Sequence, residues 1–299
     1  MSTLVQLLFS GLALGAVYAL IALGFVVIYR ASQVFNFAQG EFLSFGAFMM
    51  VALAGIEGMP WAVALVLAMA ATGAMGAVVE RVVLRPLVGR PVFVTIILTI
   101  FVGYLLRALV VVVWGSSPRG MPTPWDTSSS LNILGGEVLL NSIGAVVAGA
   151  LALGVFFVLI KYSKLGVGMR ATSNDQEVAL ALGIPVGRIF GSTWFLSGVY
   201  AALGGIFLAM FPRSVDPNLG LIALRAFPAV IVGGLDSPLG TVLAGLMLGL
   251  LEVLAQGYLN EQLGQFGHGF HTVFPYVVMI LFLVVRPYGF FGTKEVERV

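Results

Sequence analysis

The 299-residue sequence contains no cysteine, two histidines and three lysines. The lack of cysteine excludes a disulfide framework, a thiolate nucleophile and a cysteine metal site. None of the lysines lies in a G-x-x-x-x-G-K-[ST] loop, and neither an HExxH nor a GxSxG motif is found. His268 and His271 alone are too few to predict a metal site. The sequence therefore predicts a protein that is not an enzyme and holds no cofactor of its own.

Charged side chains are also scarce, at 9% of the residues, whereas 60% of the residues are apolar. A soluble domain has about 25% charged and about 45–50% apolar residues. So much apolar surface exceeds what one aqueous core can bury, and lipid must solvate much of it. The net charge of +2 is small and the basic residues are dispersed, which argues against a nucleic acid partner.

Nine apolar segments have the length and composition of membrane spans, which need roughly 20 residues. They are residues 4–28, 34–55, 61–79, 92–114, 138–160, 189–211, 222–235, 238–258 and 272–286. The seventh is short and interrupted by glycine and proline, so the predicted fold is an all-α, polytopic transmembrane helical bundle of eight to ten spans. The first segment is too long for a signal peptide and has no basic residue before Arg30, so we interpret it as a span.

The distribution of lysine and arginine predicts the orientation, since cytoplasmic loops carry an excess of both. With the N-terminus outside, one side receives eleven basic residues: Arg30, Arg81, Arg85, Arg90, Lys161, Lys164, Arg170, Arg188, Arg286, Lys294 and Arg298. The other side receives Arg119, Arg213 and Arg225. Arg107 lies within the fourth span, close enough to its outer end for the side chain to reach the interface. The C-terminus and residues 161–188 are therefore predicted to be cytoplasmic, and residues 115–137 to form an outer loop.

Small residues recur at four-residue spacing within the apolar segments. The pairs are Gly11 and Gly15, Gly187 and Gly191, and Gly245 and Gly249. Such spacing lets two helices approach closely in lipid, where no hydrophobic effect drives them together. It predicts a tightly packed bundle.

The loop 161–188 contains a predicted short helix. Ser173, Asn174 and Asp175 are N-cap residue types, and Gly183 followed by Pro185 ends the helix. The apolar run between them is too short to cross a membrane. Because an isolated helix below about 12–15 residues is marginal in water, we expect its apolar side chains to be buried against either the protein's own bundle or a partner.

Two further segments interrupt apolar sequence. Asn36 and Gln39, three residues apart, are predicted to share a helix face, and with Glu41 they are candidates for the polar lining of a translocation path. The alternative for Glu41 is that it satisfies backbone donors at a broken helix or pairs with a neighbouring arginine. The glycines and prolines of residues 226–252 predict either a cytoplasmic turn or a re-entrant hairpin.

Six stretches, in their order and spacing, carry a resemblance to a known family. They are GLALGAVYALIALGFVVIYR near the N-terminus, FNFAQGEF at 35–42, ERVVLRPL at 80–87, KYSKLGVGMRATSNDQEVALALGIPVGRI at 161–189, AVIVGGLDSPLGTVLAGLMLGLLE at 229–252 and GFFGTKEVERV at 289–299. Through them the chain resembles, nearly from end to end, the permease subunits of branched-chain amino acid ABC (ATP-binding cassette) importers. The resemblance implies an architecture like that of the large vitamin-importer permeases. We expect one transmembrane domain over residues 1–299.

The resemblance also implies the partners of the chain, in a bacterial inner membrane. They are a second related permease, two cytoplasmic ATPases that hold the ATP and Mg, and a periplasmic solute-binding protein. The family's coupling loop corresponds to residues 161–188. The ATPase-facing residues that it implies are Arg170, Asn174, Asp175, Glu177, Leu182, Gly183 and Arg188.

The implied substrates are branched-chain or related amino acids, with urea or short amides as alternatives in the same importer class. Relatives often have His at the position of Gln39, a difference that predicts no substrate. A stand-alone secondary transporter is the remaining alternative. It would need charged residues spaced through several spans, where this sequence offers only Glu41, Arg107 and Glu252.

Overall fold

The computed structural model of the protein describes residues 2–87, 90–126, 128–133, 135–210, 212–262 and 269–292. Within them, twelve α-helices and one β-hairpin follow each other along the chain. They are α1 (Ser2–Ser32), α2 (Gln39–Ala54), α3 (Trp61–Val79), α4 (Val92–Trp114), β1 (Ser130–Ile133), β2 (Gly136–Leu139), α5 (Leu140–Tyr162), α6 (Lys164–Asn174), α7 (Gln176–Ala181), α8 (Val186–Leu208), α9 (Leu219–Ala223), α10 (Phe227–Gly233), α11 (Pro238–Gln262) and α12 (Phe270–Val285).

Each of the nine predicted apolar segments is largely helical. In the described residues, six helices are long and apolar enough to cross a membrane: α1, α3, α4, α5, α8 and α11. Three shorter apolar helical stretches, α2, α9–α10 and α12, coincide with the second, seventh and ninth predicted spans. The predicted polytopic transmembrane bundle is confirmed.

The bundle is arranged around α1, which is almost entirely buried from Val17 to Ile28 and contacts α5, α8, α10 and α11. The helices α4 and α5 lie at its edge and expose large apolar side chains such as Leu105, Val112 and Leu151. On a soluble protein an apolar surface of this extent would mark a binding site. On a transmembrane bundle it is the surface that lipid solvates.

The two ends of the bundle differ. Residues 161–188 lie at one end, where they meet the last turns of α1 and α3; we call it the 161–188 end. At the opposite, hairpin end, β1 and β2 pair antiparallel with Ser130 opposite Leu139, and Arg119 pairs with Val215. The predicted outer loop 115–137 thus contains a strand and part of a second, and the span predicted to begin at 138 begins at Leu140.

Glycines allow α1 and α11 to touch along their backbones, as the four-residue spacing predicts. A Cβ atom at Gly249 would lie 2.2 Å from the backbone nitrogen of Gly15, and one at Gly15 would lie 2.8 Å from Cα of Leu246. Real Cβ atoms do not approach backbone so closely, so a side chain at either position would push the two helices apart. The close contact replaces the hydrophobic driving force that lipid does not supply.

The Gly249→Ala variant is therefore expected to lower the free energy of unfolding by about 1–3 kcal/mol, the cost of overpacking a filled interior. The matched control is Gly154→Ala in α5, where a Cβ atom would meet nothing within 4 Å. There alanine is expected to be neutral or to stabilise the helix by up to about 1 kcal/mol, since glycine is the poorer helix former. Denaturant unfolding of both variants in detergent micelles measures the difference, and equal effects would contradict the packing argument.

Candidate functional site

The chain breaks between α1 and α2 inside the apolar part of the sequence. Gln33 adopts a positive φ of 57° and α2 begins only at Gln39, so residues 34–38 are not part of a helix. The side-chain oxygen of Asn36 accepts a hydrogen bond from the backbone N–H of Ala38 at 3.0 Å, as short polar side chains do in turns. The prediction that Asn36 and Gln39 share a helix face is therefore wrong. Asn36 lies in the turn that precedes α2, and only Gln39 belongs to the helix.

The two amides nevertheless meet. Asn36 Nδ2 donates to Gln39 Oε1 at 3.2 Å, and the hydroxyl of Ser197 on α8 donates to the same oxygen at 2.7 Å. Gln39 Nε2 in turn donates to the carbonyl oxygen of Ser197 at 3.4 Å. Opposite this cluster lies Gly24 of α1, where a Cβ atom would overlap the Gln39 amide. The buried amides thus satisfy each other and join α1, α2 and α8.

Glu41 forms an ion pair with Arg107 of α4, with 3.1 Å between Oε1 and Nη2. The pair lies halfway along α4, since a Cβ atom at its midpoint, Gly103, would be 3.7 Å from Cγ of Glu41. The prediction that Glu41 pairs with an arginine is confirmed. The predicted reach of Arg107 to the outer interface is wrong. A carboxylate without a partner is costly at this depth, so Glu41 keeps the guanidinium of Arg107 beside it.

A second helix begins at the same level. The backbones of Gly40 and Gly220 touch, since a Cβ atom at Gly40 would lie 2.3 Å from the Gly220 oxygen. From this contact α2 runs to the hairpin end and α9–α10 runs to the 161–188 end. Glu41 and Arg107 remain 12% and 26% exposed, and Leu221 of α9 is exposed beside them. The two helix starts therefore lie side by side, next to an ion pair that is partly exposed.

The glycines and prolines of residues 226–252 form a turn, and no re-entrant hairpin is found in this part of the described chain. Helix α10 ends at Gly233, Gly234 has a positive φ of 103°, and α11 begins at Pro238. The backbone N–H of Phe290 donates to the carbonyl oxygen of Val232 at 2.8 Å, so the residues after α12 cover the turn.

A buried carboxylate connects three helices towards the hairpin end. Glu252 of α11 is 2% exposed and accepts a hydrogen bond from the hydroxyl of Tyr18 on α1 at 2.6 Å. Arg225, between α9 and α10, lies 3.7 Å from its other oxygen. Sequence reasoning noted Glu252 as an intramembrane charge but found neither partner. The available signal was a glutamate in an otherwise apolar helix, which needs a donor or a cation nearby.

The loop 161–188 contains two helices rather than one. The predicted helix is α7, for which Asp175 is the N-cap: its carboxylate accepts hydrogen bonds from the N–H groups of Glu177 and Val178 at 2.8 and 3.0 Å. Gly183 follows with a positive φ of 80°, as the predicted stop requires. The second helix, α6, was missed because of its two glycines, although Ser163 caps it by accepting from Gly166 N–H.

The side chains of α7 are mostly uncovered. Ala179 is buried, whereas Val178, Leu180 and Leu182 are 53%, 58% and 74% exposed. The seven residues predicted to face a partner, Arg170, Asn174, Asp175, Glu177, Leu182, Gly183 and Arg188, are all exposed. Of the two alternatives for the apolar run, burial against the protein's own bundle applies to Ala179 alone.

Within the described residues, no group of three or more His, Asp or Glu side chains could hold a metal ion. His268 lies outside these residues. The Nδ1 atom of His271, at the start of α12, lies 3.1 Å from the side-chain nitrogen of Asn260 on α11. His271 therefore serves as a contact between α11 and α12.

Comparisons with known proteins agree over almost the whole chain. A family model described as "Branched-chain amino acid transport system / permease component" matches residues 7–283. The high-affinity branched-chain amino acid transport system permease protein LivH of Escherichia coli is 31% identical, over 98% of this chain and 97% of its own. The corresponding protein BraD of Pseudomonas aeruginosa is 30% identical over the same shares. Among solved structures, a chain of PsaBC from Streptococcus pneumoniae in complex with Fab has the same fold, with a TM-score of 0.52 and 16% identity over 93% of this chain and 91% of that one.

Proposed function

The chain belongs to the family of branched-chain amino acid transport permease components, and on that premise we propose that it is the membrane-spanning subunit of an ABC importer. Its work is to carry branched-chain or related amino acids across a bacterial inner membrane. The hydrolysis of ATP, with its Mg, belongs to two separate ATPase subunits. A periplasmic binding protein delivers the solute, and a second related permease completes the path.

The observation that carries the proposal is the exposed apolar surface of α7. A helix of six residues is unstable alone, and its exposed valine and leucines have no reason to face water. If α7 docks into a groove of an ATPase, these apolar side chains become buried and the charged residues around them form the polar rim of the interface. Arg170, Asn174, Asp175, Glu177, Leu182, Gly183 and Arg188 are the proposed docking residues.

The orientation follows from this assignment. The 161–188 end is cytoplasmic, together with the C-terminus, and the hairpin end faces the periplasm, together with the N-terminus. The excess of lysine and arginine at the 161–188 end supports it.

We place the translocation path beside the starts of α2 and α9, where Glu41 and Arg107 are partly exposed. An ion pair halfway along a membrane helix, with both side chains partly exposed, is too costly to face lipid. A second permease that covers Glu41 and Arg107 removes this cost. Asn36 and Gln39 then set the position at which α2 begins, and movement of α1, α2 and α8 against each other opens one side of the path at a time.

The experiment that tests the proposal is purification of the chain from its native membrane, followed by transport in liposomes. We expect a second permease and an ATPase to co-purify, and uptake of leucine, isoleucine or valine only when ATP and the binding protein are present. Uptake of urea or a short amide instead would change the proposed substrate but not the proposed class of ABC importer. Uptake by the chain alone, driven by a gradient without ATP, would contradict the importer and favour a secondary transporter.

Because the chain has no cysteine, the orientation can be tested separately with single cysteines. In cells that express the chain without its ATPase, a cysteine at the exposed position 182 is expected to react with a membrane-impermeant maleimide only in inside-out vesicles. One at the exposed position 128, at the hairpin end, is expected to react only in intact spheroplasts. The reverse pattern would contradict the docking of α7 to a cytoplasmic ATPase.

A further inference from the structure

Beyond the docking surface, one arginine connects the segment 161–188 to the neighbouring helix α3. The last turns of α3 continue as a π-turn, Glu80–Leu84, a local irregularity that is frequent at functional sites. Glu80 is 2% exposed, and its carboxylate accepts two hydrogen bonds from Arg85, from Nε at 3.1 Å and from Nη2 at 2.7 Å. A two-point ion pair fixes the orientation of the guanidinium as well as its distance. Arg85 is thus held firmly to α3.

The same guanidinium bonds to the start of α8. Arg85 Nη2 donates to the carbonyl oxygen of Gly187 at 2.6 Å, and Gly187 lies in the first turn of α8, just after α7 and its glycine stop. A Cβ atom at Gly187 would be 3.5 Å from Cζ of Arg85, and one at Gly191 would be 3.4 Å from Oε2 of Glu80. The ion pair therefore lies directly against the backbone at which the segment 161–188 joins α8.

Packing beside this link is loose. A cavity of about 130 Å³ lies next to the ion pair, and its lining includes Glu80, Arg85, Thr95, Gln176, Phe190 and Trp194. Protein interiors are normally close-packed and transmit displacement through side-chain contact. Here the start of α7, at Gln176, is separated from the last turns of α3 by open space. Further along, α3 packs tightly on α8, since a Cβ atom at Gly76 would lie 2.5 Å from the Trp194 oxygen, and Arg85 adds a second connection at the first turn of α8.

We propose that Arg85 is a positioning residue that transmits movement of the segment 161–188 to α3, and that Glu80 anchors it for this purpose. The inference rests on the proposed function, in which an ATPase docks on α7, and it adds that the docked ATPase moves this helix. Loss of the link leaves the ATPase able to dock and hydrolyse ATP, while the last turns of α3 follow the segment 161–188 less closely and transport per ATP falls.

The test uses the complete transporter in liposomes and measures ATP hydrolysis and solute uptake in the same preparation. For Arg85→Gln we expect the amount of solute carried per ATP hydrolysed to fall about tenfold, a typical size for the coupling between two sites. The matched control is Arg81→Gln, which removes an arginine from the same π-turn but at an exposed position, and is expected to leave the ratio unchanged. Thermal unfolding of each complex shows how much of it is folded, so that a change in solute carried per ATP is not mistaken for a loss of folded protein.

Each outcome decides the question. If uptake and hydrolysis fall together with the amount of folded complex, Arg85 has only a structural role and the inference is overturned. If Arg85→Gln does not assemble, the isosteric Glu80→Gln replaces it, because it loosens Arg85 from α3 and keeps the bond to Gly187; an unchanged ratio then overturns the inference. Absence of ATP-dependent uptake in the unaltered complex would instead refute the proposed function.

Discussion

The Glu252→Ala variant is expected to lose about 3–5 kcal/mol of free energy of unfolding, the cost of breaking a buried pair by removing one partner. The alanine leaves the hydroxyl of Tyr18 without its acceptor at 2.6 Å and Arg225 without its carboxylate. Tyr18 is fully buried, so water cannot replace the lost hydrogen bond without opening the contact between α1 and α11. An unsatisfied buried donor and a loosened cation both favour the unfolded state.

Two controls separate the hydrogen bond from the charge. Glu252→Gln keeps an acceptor for the Tyr18 hydroxyl and removes only the charge, so its loss of stability should be smaller than that of the alanine variant. Glu57→Ala removes an exposed glutamate from the turn after α2 and is expected to change stability by less than about 0.5 kcal/mol. Unfolding in mixed micelles gives all three values, and equal stability of the Glu252 and Glu57 alanine variants would contradict the buried network.

The double variant Val178→Asp and Leu182→Asp is expected to weaken the association with the ATPase roughly 30-fold, the equivalent of losing one hot spot of about 2 kcal/mol. Val178 on α7 and Leu182 just after it are both more than half exposed, so the substitutions bring carboxylates to the proposed docking surface without disturbing the bundle. ATP-dependent uptake should fall with the loss of assembled complex.

Co-purification of the ATPase with the tagged variant measures this association. The matched control is Leu131→Asp, which makes the same change at an exposed leucine of the β-hairpin, at the other end of the bundle. It is expected to leave ATPase binding unchanged. Unaltered binding by the α7 double variant would show that the apolar face of this helix is not the docking surface.

Local signals in the sequence predicted several features with accuracy. The fourth span, 92–114, coincides with α4, because proline and glycine flank a run in which Arg107 is the one charged residue. Asp175 and Gly183 mark the two ends of α7, since a side-chain acceptor and a positive φ are properties of single residues and their neighbours. The same local reasoning missed α6, whose glycines are tolerated because tertiary contacts bury that side of the helix.

The candidate site was predicted less completely. Asn36, Gln39 and Glu41 were identified as polar residues in an apolar setting, which is a property of composition. Their contacts were not, since Ser197 and Arg107 come from helices far along the chain. The role of these three residues in translocation stays a prediction, as does that of the seven residues at the 161–188 end.

The sequence by itself determined that lipid solvates this protein and how many apolar segments it has, because hydrophobicity acts within a few residues. It placed the ends of α4 and α7 well and those of α2, α5 and α8 only to within a few residues. Only the tertiary structure decided which charges pair and which helices touch. Tyr18 meets Glu252 across 234 positions and Arg85 meets Gly187 across 102. Such pairs depend on how helices pack and how deeply each lies, and glycine contacts such as Gly15 with Gly249 set both.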